Sequence, residues 1–168
     1  MFNHEHVTQL IDHVRDSKRV NPEYSLKGRT LQSLLRQSDE WHKQVVLMKG
    51  NQSWNSCGIK EYRVEKKDEY ILLEELTGSR LLADEGRVMK HCVGTYIHYC
   101  FTGRSAIFSF RRYIQGVLME RMATVEVNLF SKRIVQAKSR MNGKISDEVK
   151  KHLELWAKKN DLSVNPYL

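Results

Sequence analysis

Proline is nearly missing from this chain, with two residues in 168, and glycine is held to nine. So little of either leaves no material for a long disordered linker, and one continuous folded unit is expected. No run of about 18 apolar residues occurs, which removes a membrane-spanning helix from the expected architecture. The opening segment, MFNHEHVTQL, lacks a basic stretch followed by an apolar one, so no secretory leader is expected. Cysteine is scarce. Cys57, Cys92 and Cys100 are odd in number and show no CxxC pair or framework spacing. With no leader, they point to reduced thiols and a cytoplasmic protein. Acidic residues are in deficit, 20 against 28 Lys and Arg, for a net charge of +8. Solubility alone can ask for such a charge, but an excess of this size also suits a polyanionic partner.

The rest of the composition is that of a soluble globular domain, 40% hydrophobic and 29% charged. Val7, Leu10, Ile11 and Val14 follow the spacing of a helix with one buried face, with Asn3 as its cap, Glu5 in its first turn and Asn21-Pro22 as its end. A second helix is expected over Thr30–Lys49. Leu31, Leu34, Leu35, Val45 and Met48 mark its apolar side, with Trp41 at the edge. Trp54–Gly58 reads as a loop. Glu61–Glu65 and Glu69–Glu75 read as strands around the turn Lys66-Lys67-Asp68. Ser79 to Phe101 reads as two short helices broken near Val93-Gly94. Strands are expected at Ala106–Arg111, Ala123–Leu129 and Arg133–Ser139, the last two joined at Phe130-Ser131-Lys132. Ser146 caps a final helix over Asp147–Lys159, whose buried stripe is Val149, Leu153 and Trp156. This order lacks the regular alternation of a parallel doubly wound sheet. The expected class is α+β, a mostly antiparallel sheet packed by N-terminal, central and C-terminal helices. The whole chain, 1–168, is read as a single domain, with a helical part at 1–50 and an α+β core at 59–160.

The densest chemistry lies in Leu82–Tyr96, LADEGRVMKHCVGTY, and in Arg104–Arg112, RSAIFSFRR. Polar groups are costly to bury without partners, so their concentration in an otherwise apolar stretch marks a site. His91 beside Cys92 invites a nucleophile with an adjacent base, although neighbours in sequence often point apart. The plainer roles are a buried thiol and a histidine holding a backbone group. His91, Cys92, His98 and Cys100 are soft ligands without a zinc spacing, so no metal and no cofactor is assigned. Glu126, followed by Gln136-x-Lys138 on the next strand, resembles the core of PD-(D/E)xK nucleases, with Gln136 and Lys138 on one strand face. Gln136 is a poor metal ligand, and no second acid stands nearby. His91, Tyr96 and Glu126 also occur in the order of an ADP-ribosyltransferase triad, a pattern that arises easily by chance. The cations Arg104, Arg111, Arg112, Lys132, Arg133, Lys138 and Arg140 fall on the expected strands and turns. Tyr96, Tyr99, Phe101, Phe108, Phe110 and Tyr113 are interleaved with them, a combination that suits phosphates and bases. Alternation sends at least one of Phe108 and Phe110 to the core instead.

These residues resemble the PcfJ-like family. The resemblance runs over Leu72–Trp156 and rests on EG-x-x-M-x-HCVG-x-Y at Glu85–Tyr96, then GRSAIFSFRR, ATVEV and QAKSRMN before a helix with Trp156. Trp41-His42 also looks familial. The resemblance implies an association with mobile elements and conjugation operons, and brings no established activity. It marks Glu85, His91, Cys92, Tyr96, Ser109, Arg111, Glu126, Gln136 and Asn142 as family-like polar positions. The family pattern often has Arg-Gly where this chain has Lys138-Ser139, which argues against a fixed catalytic lysine.

The expected function is a cytoplasmic nucleic-acid-binding accessory protein of a mobile genetic element, for DNA or RNA and without a membrane partner. One alternative is an enzyme acting on nucleic acid or a nucleotide through His91 and Glu126. Another is a protein-interaction module using the first two helices.

Overall fold

Strands with one apolar side need a layer to bury it, and here the chain builds a single sheet covered on both faces. The computed structural model describes residues 7, 10, 11, 13–15, 17, 18, 21–48 and 50–168, without the side chains of 42–48 and 95. Helix α1 is Leu31–Met48, β1 Tyr62–Lys66, β2 Glu69–Glu75 and α2 Ser79–Met89. A 3-10 segment, Cys92–Tyr96, leads into α3, Ile97–Phe101. Then come β3 at Ser105–Ile114, β4 at Val117–Asn128, β5 at Arg133–Lys138, α4 at Asp147–Lys159 and β6 at Ser163–Val164. The sheet order is β1-β2-β3-β4-β5-β6. Every pair is antiparallel except β5 with β6, so the fold is α+β with a mostly antiparallel sheet.

One face of the sheet is apolar. Ile71, Leu73, Phe108, Phe110, Ala123, Val125, Val127 and Ile134 meet Val149, Leu153 and Trp156 of α4. Phe108 and Trp156 meet edge to face at 4.8 Å, and the indole N–H donates to the Lys60 carbonyl at 2.7 Å. Helix α4 begins and ends as its sequence asks. Ser146 accepts from the Val149 amide, Asp147 and Glu148 lie in the first turn, and Lys158 and Lys159 lie in the last.

Several boundaries move. The strands expected at Ala106–Arg111 and Ala123–Leu129 extend toward each other and close through Gln115-Gly116. Both turn residues have positive φ, 49° and 79°, as a tight two-residue hairpin requires. Register shifts on either side of Arg111-Arg112 break the period-two pattern, which is why the sequence hides this stretch. The central helices part at Lys90, left-handed at φ 56°, rather than at Val93-Gly94. Thr30 caps α1 by accepting from the Ser33 amide. Leu31 is exposed, and α1 instead turns Leu34 and Ser38 inward.

The described residues between 7 and 18 are helical. Of the expected apolar stripe, Val7 and Ile11 are exposed, while His13 is buried against Tyr24 and Trp41. The Asn3 cap, Glu5, and the side chains of Val45 and Met48 lie outside the described residues. Among the described residues no helix is long and apolar enough to cross a membrane.

Candidate functional site

The second face of the sheet is polar at its centre. Residues 105, 107, 109 and 111 of β3 alternate away from Phe108 and Phe110. Across the ladder Ser109 faces Thr124, Ile107 faces Glu126, Thr124 faces Lys138 and Glu126 faces Gln136. Helix α2 and the Cys92–Tyr96 segment cover this face. The buried side of α2 is Ser79, Leu82, Glu85 and Met89, so a carboxyl group sits where the helical period calls for an apolar side chain.

Glu85 is 0% exposed, and hydrogen bonds converge on it. Ser109 Oγ donates to Oε2 at 2.9 Å, and Thr124 Oγ1 donates to Oε1 at 2.7 Å. Arg111 Nε donates to Ser109 Oγ at 2.9 Å, and its Nη1 reaches Glu74 at 2.6 Å. His91 Nε2 lies 2.9 Å from Thr124 Oγ1. The single Thr124 proton goes to Glu85, so this ring nitrogen carries a proton and donates. Arg121 pairs with Asp84, and its Nη1 lies 3.3 Å from Glu85. Two chains of donors, from Arg111 and from His91, thus end on one carboxylate. Burial still outweighs these hydrogen bonds and cations and raises the Glu85 pKa above the ordinary carboxyl value. Asp84 moves the other way, held low by hydrogen bonds from Arg121 and Arg87. Burial pushes His91 down to about 4, so at neutral pH its ring is uncharged.

The motif glycines explain how the turn lies so close to α2. A Cβ on Gly86 would stand 2.8 Å from the His91 carbonyl oxygen, whose own amide donates back to the Gly86 carbonyl at 3.1 Å. Glu85 anchors the helix, Gly86 admits the returning chain, and Met89 and Val93 fill the space beneath. Tyr96 then holds Glu126, which also accepts from Ser105 Oγ at 2.9 Å. Burial raises the Glu126 pKa, and the nearby Cys100 thiol is pushed up to about 12 by burial first and then by Glu126.

His91, Ser109, Arg111 and Glu126 therefore share one face, along with Gln136 and Lys138, both half-buried. Cys92 is buried in the turn, and none of the three cysteines is joined in a disulfide. Asn142 takes left-handed backbone, φ 56°, in the short turn after β5, a conformation asparagine tolerates. Among the described residues no three His, Cys, Asp or Glu side chains gather as metal ligands. Glu126 accepts from the Ser105 and Tyr96 hydroxyls and stands across the ladder from Gln136.

The cations separate into two groups. Arg112 lies on the apolar face and pairs with Glu148 at 2.6 Å, with Glu120 and Glu69 slightly farther away. Arg111 and Arg121, each with a side chain 12% exposed, are likewise committed to carboxylates. Arg104, Lys132 and Arg133 take part in no ion pair among the described residues and lie together at one end of the sheet. Leu129 donates its amide to the Arg104 carbonyl at 3.0 Å, while Asn128 faces both Ser105 and Arg133. Phe101, at the end of α3, and Phe130, in the β4–β5 turn, border the same rim, 58% and 82% exposed. Lys138 and Arg140 lie toward the opposite end of β5.

Sequence reasoning did not find Arg121, Asp84, Glu74 and Thr124, because their value lies in partners distant along the chain. Alternation on β4 could have placed Thr124 beside Glu126. Asp84 lies within the marked Leu82–Tyr96 segment without being singled out there, and nothing local marks Arg121 or Glu74.

A family model described as PcfJ-like protein matches residues 5–154 of this chain. No curated protein and no solved structure matches it.

Proposed function

The chain belongs to the PcfJ-like protein family, and on that premise we propose that it is a cytoplasmic nucleic-acid-binding accessory protein of a mobile genetic element. The observation that carries this reading is the division of the cations. Arg111, Arg112 and Arg121 are spent on internal carboxylates. Arg104, Lys132 and Arg133 are gathered at one rim without any among the described residues, in a chain whose net charge is +8. Cations gathered without neighbouring carboxylates repel one another, and a polyanion relieves that repulsion, with phosphates supplying the charge at regular spacing. Lys138 and Arg140 lie apart from this rim, toward the other end of β5.

Replacing Arg104, Lys132 or Arg133 by Ala should weaken binding to unrelated oligonucleotides by a similar factor. Each change should lower the slope of log affinity against log salt by about one. Wild-type affinity and slope in all three variants would refute the reading.

A second reading is an enzyme acting on nucleic acid or a nucleotide through His91 and Glu126. The observation in its favour is that Gln136 and Lys138 lie half-buried on the face that carries both residues. It requires turnover by the wild type that is lost in a well-folded Glu126→Gln variant. Absence of turnover across single strands, duplexes and nucleotides, with and without magnesium, would dismiss it.

A further inference from the structure

The rim carries more than charge. Phe101 and Phe130 have no polar atom to justify exposure, yet they are left 58% and 82% exposed. A lone exposed apolar side chain needs no explanation, but two phenyl rings bordering three unpaired cations form a pattern. The segments that carry them are tied together and held in shape. The amide of Arg104 donates to the Tyr99 carbonyl at 2.9 Å, closing the end of α3, and the Arg104 carbonyl accepts from Leu129. Within the β4–β5 turn, Asn128 Oδ1 accepts from both the amide and the hydroxyl of Ser131, at 3.0 and 3.1 Å. Lys132 then takes left-handed backbone, φ 48°. Phe130 is thus displayed by a braced turn, so less ordering cost remains to be met on binding.

We propose that this rim binds single-stranded nucleic acid, with Phe101 and Phe130 stacking on bases while Arg104, Lys132 and Arg133 hold the backbone. The assignment rests on the nucleic-acid reading above and narrows it. In a duplex the base faces are covered by their neighbours, and a duplex would engage only the cations. In a single strand every base offers a face, so aromatic rings beside cations favour it without reading sequence. An anionic membrane would also attract cations next to phenyl rings. Surface insertion, however, needs a broader apolar face than two rings provide. The exposed aliphatic residues Ile114, Val117, Leu118 and Met119 lie on the β3–β4 hairpin, at the opposite end of the strands.

The test uses the full chain, a labelled mixed-sequence single strand of about 20 nucleotides, the matching duplex, and vesicles of phosphatidylserine with phosphatidylcholine. The single strand should bind roughly ten-fold or more tightly than the duplex. Phe130→Ala and Phe101→Ala should each lower single-strand affinity by about five-fold or more, from the stacking energy of one base on one ring. Duplex affinity and thermal stability should stay at the wild-type value, because both rings are exposed. If both Phe variants bind like the wild type while an Arg104→Ala, Lys132→Ala, Arg133→Ala triple variant loses affinity, stacking is refuted and the nucleic-acid reading survives. If neither oligonucleotide binds, both fall. Phe-dependent binding to the vesicles without oligonucleotide binding would assign the rim to a membrane and overturn the proposal.

Discussion

Replacing His91 by Gln should make this fold less sensitive to acid. The His91 ring is buried and donates through Nε2 to Thr124, and among the described residues no carboxylate pairs with it. Burial therefore holds its pKa at about 4, below the ordinary 6.5. The unfolded chain takes up a proton as pH falls through the ordinary value, while the folded chain refuses it until about pH 4. This contribution to stability is full above about pH 6.5 and is lost on the way down to about pH 4. At about 1.4 kcal/mol for each pH unit of that gap, the loss is about 3 kcal/mol at most. Glu85 and Glu126 push the other way, because raised carboxyl pKa values favour the folded state as pH falls. Both are present in wild type and variant, so they largely cancel in the difference. A Gln side chain keeps an N–H for Thr124 and cannot ionise. Urea unfolding at several pH values between 7 and 4 reads the effect. The wild type should lose up to about 3 kcal/mol relative to His91→Gln. Parallel stability curves would refute the claim that this ring is held neutral by burial.

The Glu85 network makes a sharper demand than its size suggests. Glu85→Gln conserves shape but turns an N–H₂ toward a hydroxyl already committed to donating, so it should cost about 1 to 3 kcal/mol in denaturant unfolding. Glu85→Ala, which leaves Arg121 beside a vacated carboxylate site, should cost about 3 to 5 kcal/mol in the same measurement. Gly86→Ala forces a methyl against the His91 carbonyl and should lower stability by about 1 to 3 kcal/mol, read as a drop in thermal midpoint. Trp156→Ala opens the main core and removes the donor to Lys60, for about 3 to 5 kcal/mol. An effect within experimental error in any of these would contradict the corresponding contact.

Local signals carried most of the fold. Helix α4 was legible from end to end because cap, first-turn acids, apolar stripe and last-turn lysines all agree on one element. Strand β2 and the Phe130-Ser131-Lys132 turn were legible for similar reasons. The inner parts of β3 and β4 were expected as strands, but their extension into one long hairpin was not, since its two register shifts scramble the alternation that identifies strands. Strand β6 has only two residues and exists by pairing with β5. In the site, Glu85, His91, Tyr96 and Ser109 stood out as polar groups in an apolar stretch, and all four are hydrogen-bonded on the covered face. The fate of the arginines could not be read locally. Adjacent Arg111 and Arg112 look equivalent in sequence, yet alternation sends them to opposite faces and to different carboxylates.

The polar residues of this chain thus answer two different physical problems. Those of the Glu85–Tyr96 motif are directed inward. Arg111 and His91 donate toward one buried carboxylate, and Tyr96 holds a second, so these contacts lock α2 and its following turn onto β3 and β4. That lock also determines where α3 begins. Five residues after Tyr96 the chain reaches Phe101, and three more bring it to Arg104 at the start of β3. The other side of the rim is placed by β4, whose Thr124 and Glu126 are each held in one of these two buried carboxylate clusters. The motif and the rim are therefore successive consequences of one packing arrangement rather than rival sites. A residue whose hydrogen bonds are all satisfied inside the fold has little left to offer a ligand, whereas unpaired cations beside bare aromatic rings have most of their interaction energy still to gain. On this reasoning the strongly patterned segment supplies the geometry, and the weakly patterned turn at Phe130 supplies the contact.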